Sequence, residues 1–180
     1  GTATGSGVTH VGDDVLIMAN AHVAHDCWLG NRVIIVNNVV MGGHVVIDDD
    51  ARIMGSAAIH QFVRIGHAAL VGGVAGVEAD VIPYGSVLGN RARLVSLHWI
   101  WLRRNGVQSA EIHRMRKAYF TLYPKSGEEG TFATRLEAVR SEYGDNPRIQ
   151  EILAFIDAPS RRGLVRIARG DYSTAETEGA

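Results

Sequence analysis

Side chains that can move protons recur at one spacing in this chain. The triplets Ala24-His25-Asp26, Gly42-Gly43-His44 and His60-Gln61-Phe62 are offset from one another by 18 residues. In a fold whose repeat divides 18, they stack, and His25, Asp26, His44, His60 and Gln61 then share one polar column. His22 lies three residues before His25, across the end of the same face. Solenoid turns are polar by default, so the weight rests on the coincidence of several such residues in one column. A histidine beside an aspartate, with no Ser or Cys nucleophile in the column, suits general-base chemistry better than covalent catalysis. A carboxylate holds one ring nitrogen while the other takes a proton from a substrate hydroxyl. Backbone N–H groups at Gly42-Gly43 suit an oxyanion, because a residue without a side chain admits close approach. Metal binding is the other chemistry open to a histidine cluster, and His22-x-x-His25 is a weak signal for it. His10, His67 and Glu78 read as solvated turn residues, and Cys27 as a buried core thiol.

The element that stacks these residues is written into the sequence as a period of six. From Val11 to Val77 every sixth residue is a large aliphatic, among them Ile17, Leu29, Met41, Ile53 and Ile65. Four residues after each stands a small apolar one, as in Ala21, Cys27, Ala51 and Ala57. A period of six is neither helical nor a plain two-residue alternation. It fits short strands joined by tight turns, three hexads to a coil, with the aliphatic residue inward and the small one at the corner. Twelve hexads make four coils, which at parallel-strand spacing stand about 19 Å tall. The predicted fold is a parallel β-helix. Gly and Asn at turn positions (Gly12, Gly30, Asn31, Asn37, Gly42, Gly66, Gly72) are expected to supply positive φ. A second column, Asn37, Gly55 and Gly73, leaves a groove nearly bare of side chains and continues to Arg91 if the register holds. The cap on the C-terminal end lies in the residues that follow. Before Val11 there is only a Gly/Thr-rich lead-in, so further coils or oligomerisation must supply the missing burial.

The composition fits this picture. Of 180 residues 21 are Gly and only 7% aromatic, consistent with a core of small aliphatics. A net charge of −1 excludes a strongly basic nucleic-acid binder. One Cys excludes a disulfide framework and a cysteine-based zinc site. No apolar run is long enough to span a membrane, and no signal peptide is visible, so a cytoplasmic protein is expected. Charge is uneven: residues 1–88 carry a net −5 and residues 89–180 a net +4, so an anionic partner suits the second half.

That second half reads as helices. Ser109 is placed as the N-cap of a segment running to Leu122, stopped by Pro124. Thr131 to Tyr143 forms a second, and Asn146-Pro147 opens a third that runs to Asp157. Arg161–Arg169 reads as a short fourth. The expected organisation is a repeat domain over 1–90, a helical domain over 91–170 and a disordered tail over 171–180.

Several segments together resemble one family. AHVAHDC (21–27), GHVVIDDDARIMG (43–55), AIHQFVRIG (58–66), ALVGG (69–73), DVIPY (80–84) and SRRGLVR (160–166) are similar to the UDP-N-acetylglucosamine O-acyltransferases, which catalyse the first step of lipid A synthesis. The resemblance runs from Gly1 to about Arg166. It implies a left-handed β-helix followed by a helical domain, assembled as a homotrimer with active sites between subunits. It also implies transfer of a 3-hydroxyacyl group from acyl carrier protein to the sugar 3-hydroxyl, with the carrier-protein thioester as co-substrate and no cofactor or metal.

By the same resemblance His25 is the general base, Asp26 polarises it and the Gly43 N–H faces the oxyanion. His22, His44, His60 and Gln61 contact the sugar, phosphates or pantetheine arm. Gly73 limits acyl-chain length and, lacking a side chain, implies a longer chain. Arg91 stands near the groove's end where family members often carry His. Arg103 and Arg104 belong to a basic stretch that meets anionic ligand and carrier protein. Three departures stand out: the family has further coils before the point where Gly1 falls, His98, Ile100 and Trp101 replace the usual Asn, Glu and Gly, and Asn105 takes a commonly basic place. Three other readings stay open: a related N-acyltransferase, a zinc enzyme of the γ-carbonic anhydrase type, and an inactive shortened homologue.

Overall fold

The structure is a computed structural model that describes residues 5–124 and 130–168; the expected tail over 171–180 and Arg169 lie outside the described residues. The hexads form twelve two-residue strands wound into four left-handed coils. The first coil is β1 (His10–Val11), β2 (Leu16–Ile17) and β3 (His22–Val23). The second is β4 (Trp28–Leu29), β5 (Ile34–Ile35) and β6 (Val40–Met41). The third is β7 (Val46–Ile47), β8 (Arg52–Ile53) and β9 (Ala58–Ile59). The fourth is β10 (Arg64–Ile65), β11 (Leu70–Val71) and β12 (Gly76–Val77).

Strands 18 residues apart pair in parallel, as Val23 with Met41 and Met41 with Ile59, which gives one sheet per prism side. The second residue of each strand points inward. From Leu29 to Val77 these residues are buried, together with the corner residues Cys27, Val33, Ala51 and Ala57. The first coil differs: Val11 and Ile17 are 45% and 43% exposed, with no further coil among the described residues packed on them.

Left-handed backbone recurs every sixth residue from Asp14 to Val74, at φ between 53° and 66°. None of the turn glycines or asparagines expected to adopt it does so. The positive φ falls instead on residues such as Asp26, His44 and Phe62. The glycines serve close approach: a Cβ on Gly42 would lie 2.8 Å from the Gln61 nitrogen on the next coil.

Beyond Val77 the register changes. β13 (Gly85–Leu88) pairs with β11 so that Val71 faces Val87, an offset of 16. Gly72 correspondingly donates to the Val87 carbonyl. With that offset Arg91 does not continue the bare column from Asn37 through Gly55 and Gly73. Arg91 stands exposed in the turn between β13 and β14 (Arg93–Leu97).

The coil unit runs to His98, beyond the expected boundary at 90, and takes back residues 159–168. Arg161–Ala168, expected as a helix, is instead an extended strap. Asp80 bridges Leu164 and Leu94 bridges Ile167, and Gly163 takes a φ of 66° that no helix allows.

The second unit, Trp99–Ala158, is helical. It holds α1 (Trp99–Arg104), α2 (Ser109–Leu122), α3 (Phe132–Tyr143) and α4 (Pro147–Asp157). Gln108, not Ser109, occupies the cap of α2, without a side-chain bond. Thr131 caps α3, and Asn146 caps α4 by accepting from Arg148 and Ile149 before the N1 proline. Glu111 on α2 accepts from Arg148 and Asn146, which ties α2 to α4. α1 had no expectation in the sequence; Asn105 closes it by donating to the Trp101 carbonyl.

Candidate active site

Stacked turns carry the histidine column, and their left-handed residues, Asp26, His44 and Phe62, lie one above another. His25 Nδ1 donates to Asp26 Oδ2 at 2.9 Å. The Asp26 carboxylate is 2% exposed while the His25 side chain is 40% exposed. A buried carboxylate thus holds a reachable imidazole. Asp26 is held in turn by the lead-in: the Gly7 N–H donates to Oδ1 at 2.7 Å and Ser6 Oγ at 3.3 Å. Bonded at Nδ1, the neutral ring carries its lone pair on Nε2, the form a general base needs.

The second and third turns complete the column. His44 meets His25 edge-on at 5.2 Å and stacks on Phe62 at 4.7 Å. His25 lies against Gly43, where a Cβ would stand 2.6 Å from Nε2. The Gly43 N–H, beside the His25 ring, meets no backbone acceptor among the described residues. Cys27, buried behind them, donates to the Gly42 carbonyl, and burial pushes its thiol up.

Ligand atoms of His25, Asp26 and His44 lie within 4.8 Å of one another, a spacing open to a metal ion. No metal-ligand set was expected from the sequence beyond the weak His22-x-x-His25 signal, and His22 does not join this cluster. It stands exposed on β3, in register with Val40.

His60 and Gln61 lie exposed at the third turn and meet a partner that the spacing could not reveal. Arg162 on the strap donates through Nε to the Gln61 carbonyl at 2.8 Å and through Nη2 to His60 Nδ1. Arg161 lies over the Phe62 ring, 4.6 Å from its centroid. The SRRGLVR motif carries both arginines, but no local signal marks their register against the coils. Ser6 and Gly7 were within reach of the spacing rule, since Gly7 precedes His25 by 18.

Gly73 is exposed on the bare face, and a Cβ there would meet only the Gly55 carbonyl, at 3.4 Å. Arg103 and Arg104 form the exposed last turn of α1 in the helical unit. His98 is buried, donating from Nδ1 to the Ala68 carbonyl at 3.0 Å, and so fills a place in the coil unit's own framework.

The site thus lies on the stacked turns of a left-handed β-helix of hexapeptide repeats and carries a histidine–aspartate pair. Residues 8–43 match the family described as bacterial transferase hexapeptide (six repeats). Residues 80–165 match the second domain of Udp N-acetylglucosamine O-acyltransferase. The acyl-[acyl-carrier-protein]--UDP-N-acetylglucosamine O-acyltransferase of Agrobacterium fabrum is 44% identical over 171 residues, covering 94% of this chain and 62% of the relative. Its counterpart in Rhizobium leguminosarum bv. trifolii is 47% identical over 172 residues, covering 94% and 61%. Among solved structures, the UDP-N-acetylglucosamine acyltransferase of Arabidopsis superposes with a TM-score of 0.82 at 37% identity, over 87% of this chain and 56% of that one. That of Campylobacter jejuni gives 0.83 at 33% identity, over 93% and 64%. The chain belongs to the UDP-N-acetylglucosamine O-acyltransferase family. It spans about three fifths of the length of the curated relatives it matches. No helix among the described residues is long and apolar enough to cross a membrane.

Proposed function

We propose that this chain carries the transfer centre of an acyltransferase that moves a 3-hydroxyacyl chain from acyl carrier protein to the 3-hydroxyl of UDP-N-acetylglucosamine. The observation that carries this reading is the His25–Asp26 hydrogen bond at 2.9 Å, beside the bare Gly43 backbone. The relatives named for this reaction support the substrate pair. His25 Nε2 takes the proton of the sugar hydroxyl as its oxygen attacks the thioester carbonyl. Asp26 keeps the ring oriented and stabilises the imidazolium. The Gly43 N–H faces the oxyanion of the tetrahedral intermediate. As that intermediate collapses, the C–S bond breaks, the thiolate of the carrier arm regains the proton from His25, and the ester remains on the sugar.

Around this centre, His22, His44, His60 and Gln61 contact the sugar nucleotide or the pantetheine arm, and Gly73 marks the acyl groove. Arg91, Arg103 and Arg104 serve anionic ligand and carrier protein. The unit acts in the cytoplasm as a homotrimer.

A second reading follows from the cluster of His25, Asp26 and His44 within 4.8 Å, which would hold zinc by two imidazoles and a carboxylate. Asp26 already accepts from Gly7, Ser6 and His25, which favours the dyad. Product analysis by mass spectrometry, with elemental analysis of the purified protein, separates the readings. An O-linked acyl sugar nucleotide from metal-free protein is expected. An amide product would favour the N-acyltransferase, and stoichiometric zinc without acyl transfer would favour the metal site.

A further inference from the structure

The strap over residues 159–168 is fixed to the coils on both sides. Asp80 donates its N–H to the Gly163 carbonyl at 2.8 Å and accepts from Val165 at 2.9 Å. Leu94 does the same with Arg166 and Ala168, both at 2.9 Å. Asp80 is wholly buried and accepts from the Arg64 backbone at 2.9 Å and from its Nε at 2.7 Å. Ser160 Oγ then accepts the N–H groups of Arg162 and Gly163 at 3.0 Å and 2.8 Å. Arg162 therefore reaches the histidine column from a braced backbone.

Arg162 spans two groups of the same turn, the Gln61 carbonyl and His60 Nδ1. A guanidinium has five donors and no acceptor, and it stays charged. Nδ1 is the nearer of the two ring nitrogens to Nη2, with Nε2 at 3.4 Å. The Gln61 carbonyl, 3.4 Å from the same Nδ1, already accepts from Arg162 Nε, so the guanidinium favours Nδ1 as the lone-pair nitrogen of a neutral ring. The ring's hydrogen is then on Nε2, the nitrogen farther from the guanidinium, which donates.

We propose that Arg162 is a positioning residue for the transfer site. It fixes His60 in the Nε2–H tautomer and clamps the Gln61 backbone, so that His60 meets bound substrate as a hydrogen-bond donor to an anionic or carbonyl oxygen. This rests on the reading of the column as an acyl-transfer site. The 102 residues separating His60 from Arg162 hid the contact from spacing rules.

The test is long-range proton–nitrogen NMR of protein labelled at histidine, under conditions where imidazole is neutral. The His60 signal is assigned by its loss in His60→Gln. Wild-type protein is expected to show His60 wholly as the Nε2–H tautomer. Arg162→Ala is expected to give a tautomer mixture, and Arg162→Lys to restore part of the wild-type signal. Arg161→Ala, which removes only the Phe62 stack, should leave the His60 tautomer unchanged. In the acyl-transfer assay Arg162→Ala is expected to raise KM about 10- to 100-fold, the scale of a lost charged hydrogen bond, with a smaller change in kcat.

An unchanged His60 signal in folded Arg162→Ala overturns the proposal. A changed tautomer with unchanged KM and kcat overturns its link to the reaction. Should wild-type protein transfer no acyl group, the functional reading falls, and the NMR comparison still decides whether Arg162 sets His60.

Discussion

The imidazole of His25 rests directly on the backbone of Gly43, on the next coil, so closely that a Cβ there would stand 2.6 Å from Nε2 and 2.8 Å from Nδ1. The small residue is required by the ring above it and not by the local backbone, since Gly43 is not among the positive-φ positions.

Gly43→Ala therefore separates activity from folding. The chain can adopt this conformation with alanine, so global stability should change by less than about 1 kcal/mol. The added methyl displaces the His25 ring, and turnover should fall at least about 100-fold. Thermal melting beside a steady-state assay checks both; a loss of Tm in proportion to activity would contradict it.

Asp26→Asn keeps the size of the side chain and removes the charge that sets the His25 tautomer. With Gly7 and Ser6 still able to bond to Oδ1, the turn should persist. Turnover should fall by about 10³- to 10⁴-fold, as when a triad aspartate is neutralised, with KM for the sugar nucleotide little changed. Steady-state kinetics of the purified variant reads both quantities.

The coils and the column followed from arithmetic, because a solenoid turns sequence spacing into height. A step of 18 placed Asp26, His44 and Phe62 on one line, and the same step reaches Gly7 above His25. The arithmetic stopped where the repeat did. After Val77 the pairing offset drops from 18 to 16, which moved Arg91 off the bare column. The strap reads as a helix from sequence, and its apolar residues Leu164, Val165 and Ile167 carry no unbroken strand alternation against that reading. Their bridges to Asp80 and Leu94 are long-range and leave no local signal. The turn glycines misled in another way: small residues marked close contact between coils, and the left-handed backbone fell on side chains such as Arg32, Phe62 and Val74.

Val74 shows what that costs. It is a β-branched residue at φ 56° and is 73% exposed, so it bears strain without burial to offset it. Val74→Asn should stabilise the protein by about 1 kcal/mol. Urea unfolding with an unchanged m-value should show a higher midpoint. A lower midpoint would mean that the valine makes contacts worth more than the strain.

The stacked turn of Asn31 and Asp49 gives the coils an acid-sensitive brace. The Asn31 N–H, 2.8 Å away, holds the Asp49 carboxyl below its ordinary range, with the Asn31 side chain and Arg32 adding to the effect. A carboxyl depressed in the fold stabilises it above the unfolded value near ~3.9 and loses that contribution as pH falls through the folded value. Asp49→Asn should cost less than about 1 kcal/mol at neutral pH, because the group is part-exposed. The difference from wild type should shrink as the pH drops below ~4, which unfolding curves across that range measure.

The central claim, that His25 is the base of an acyl transfer, is tested most directly by mass spectrometry of UDP-N-acetylglucosamine incubated with 3-hydroxyacyl carrier protein and either wild-type protein or His25→Ala. The account predicts an ester product from wild-type protein and a loss of about 100-fold or more with the variant, at unchanged melting temperature. Ester formed equally well by folded His25→Ala protein would contradict it.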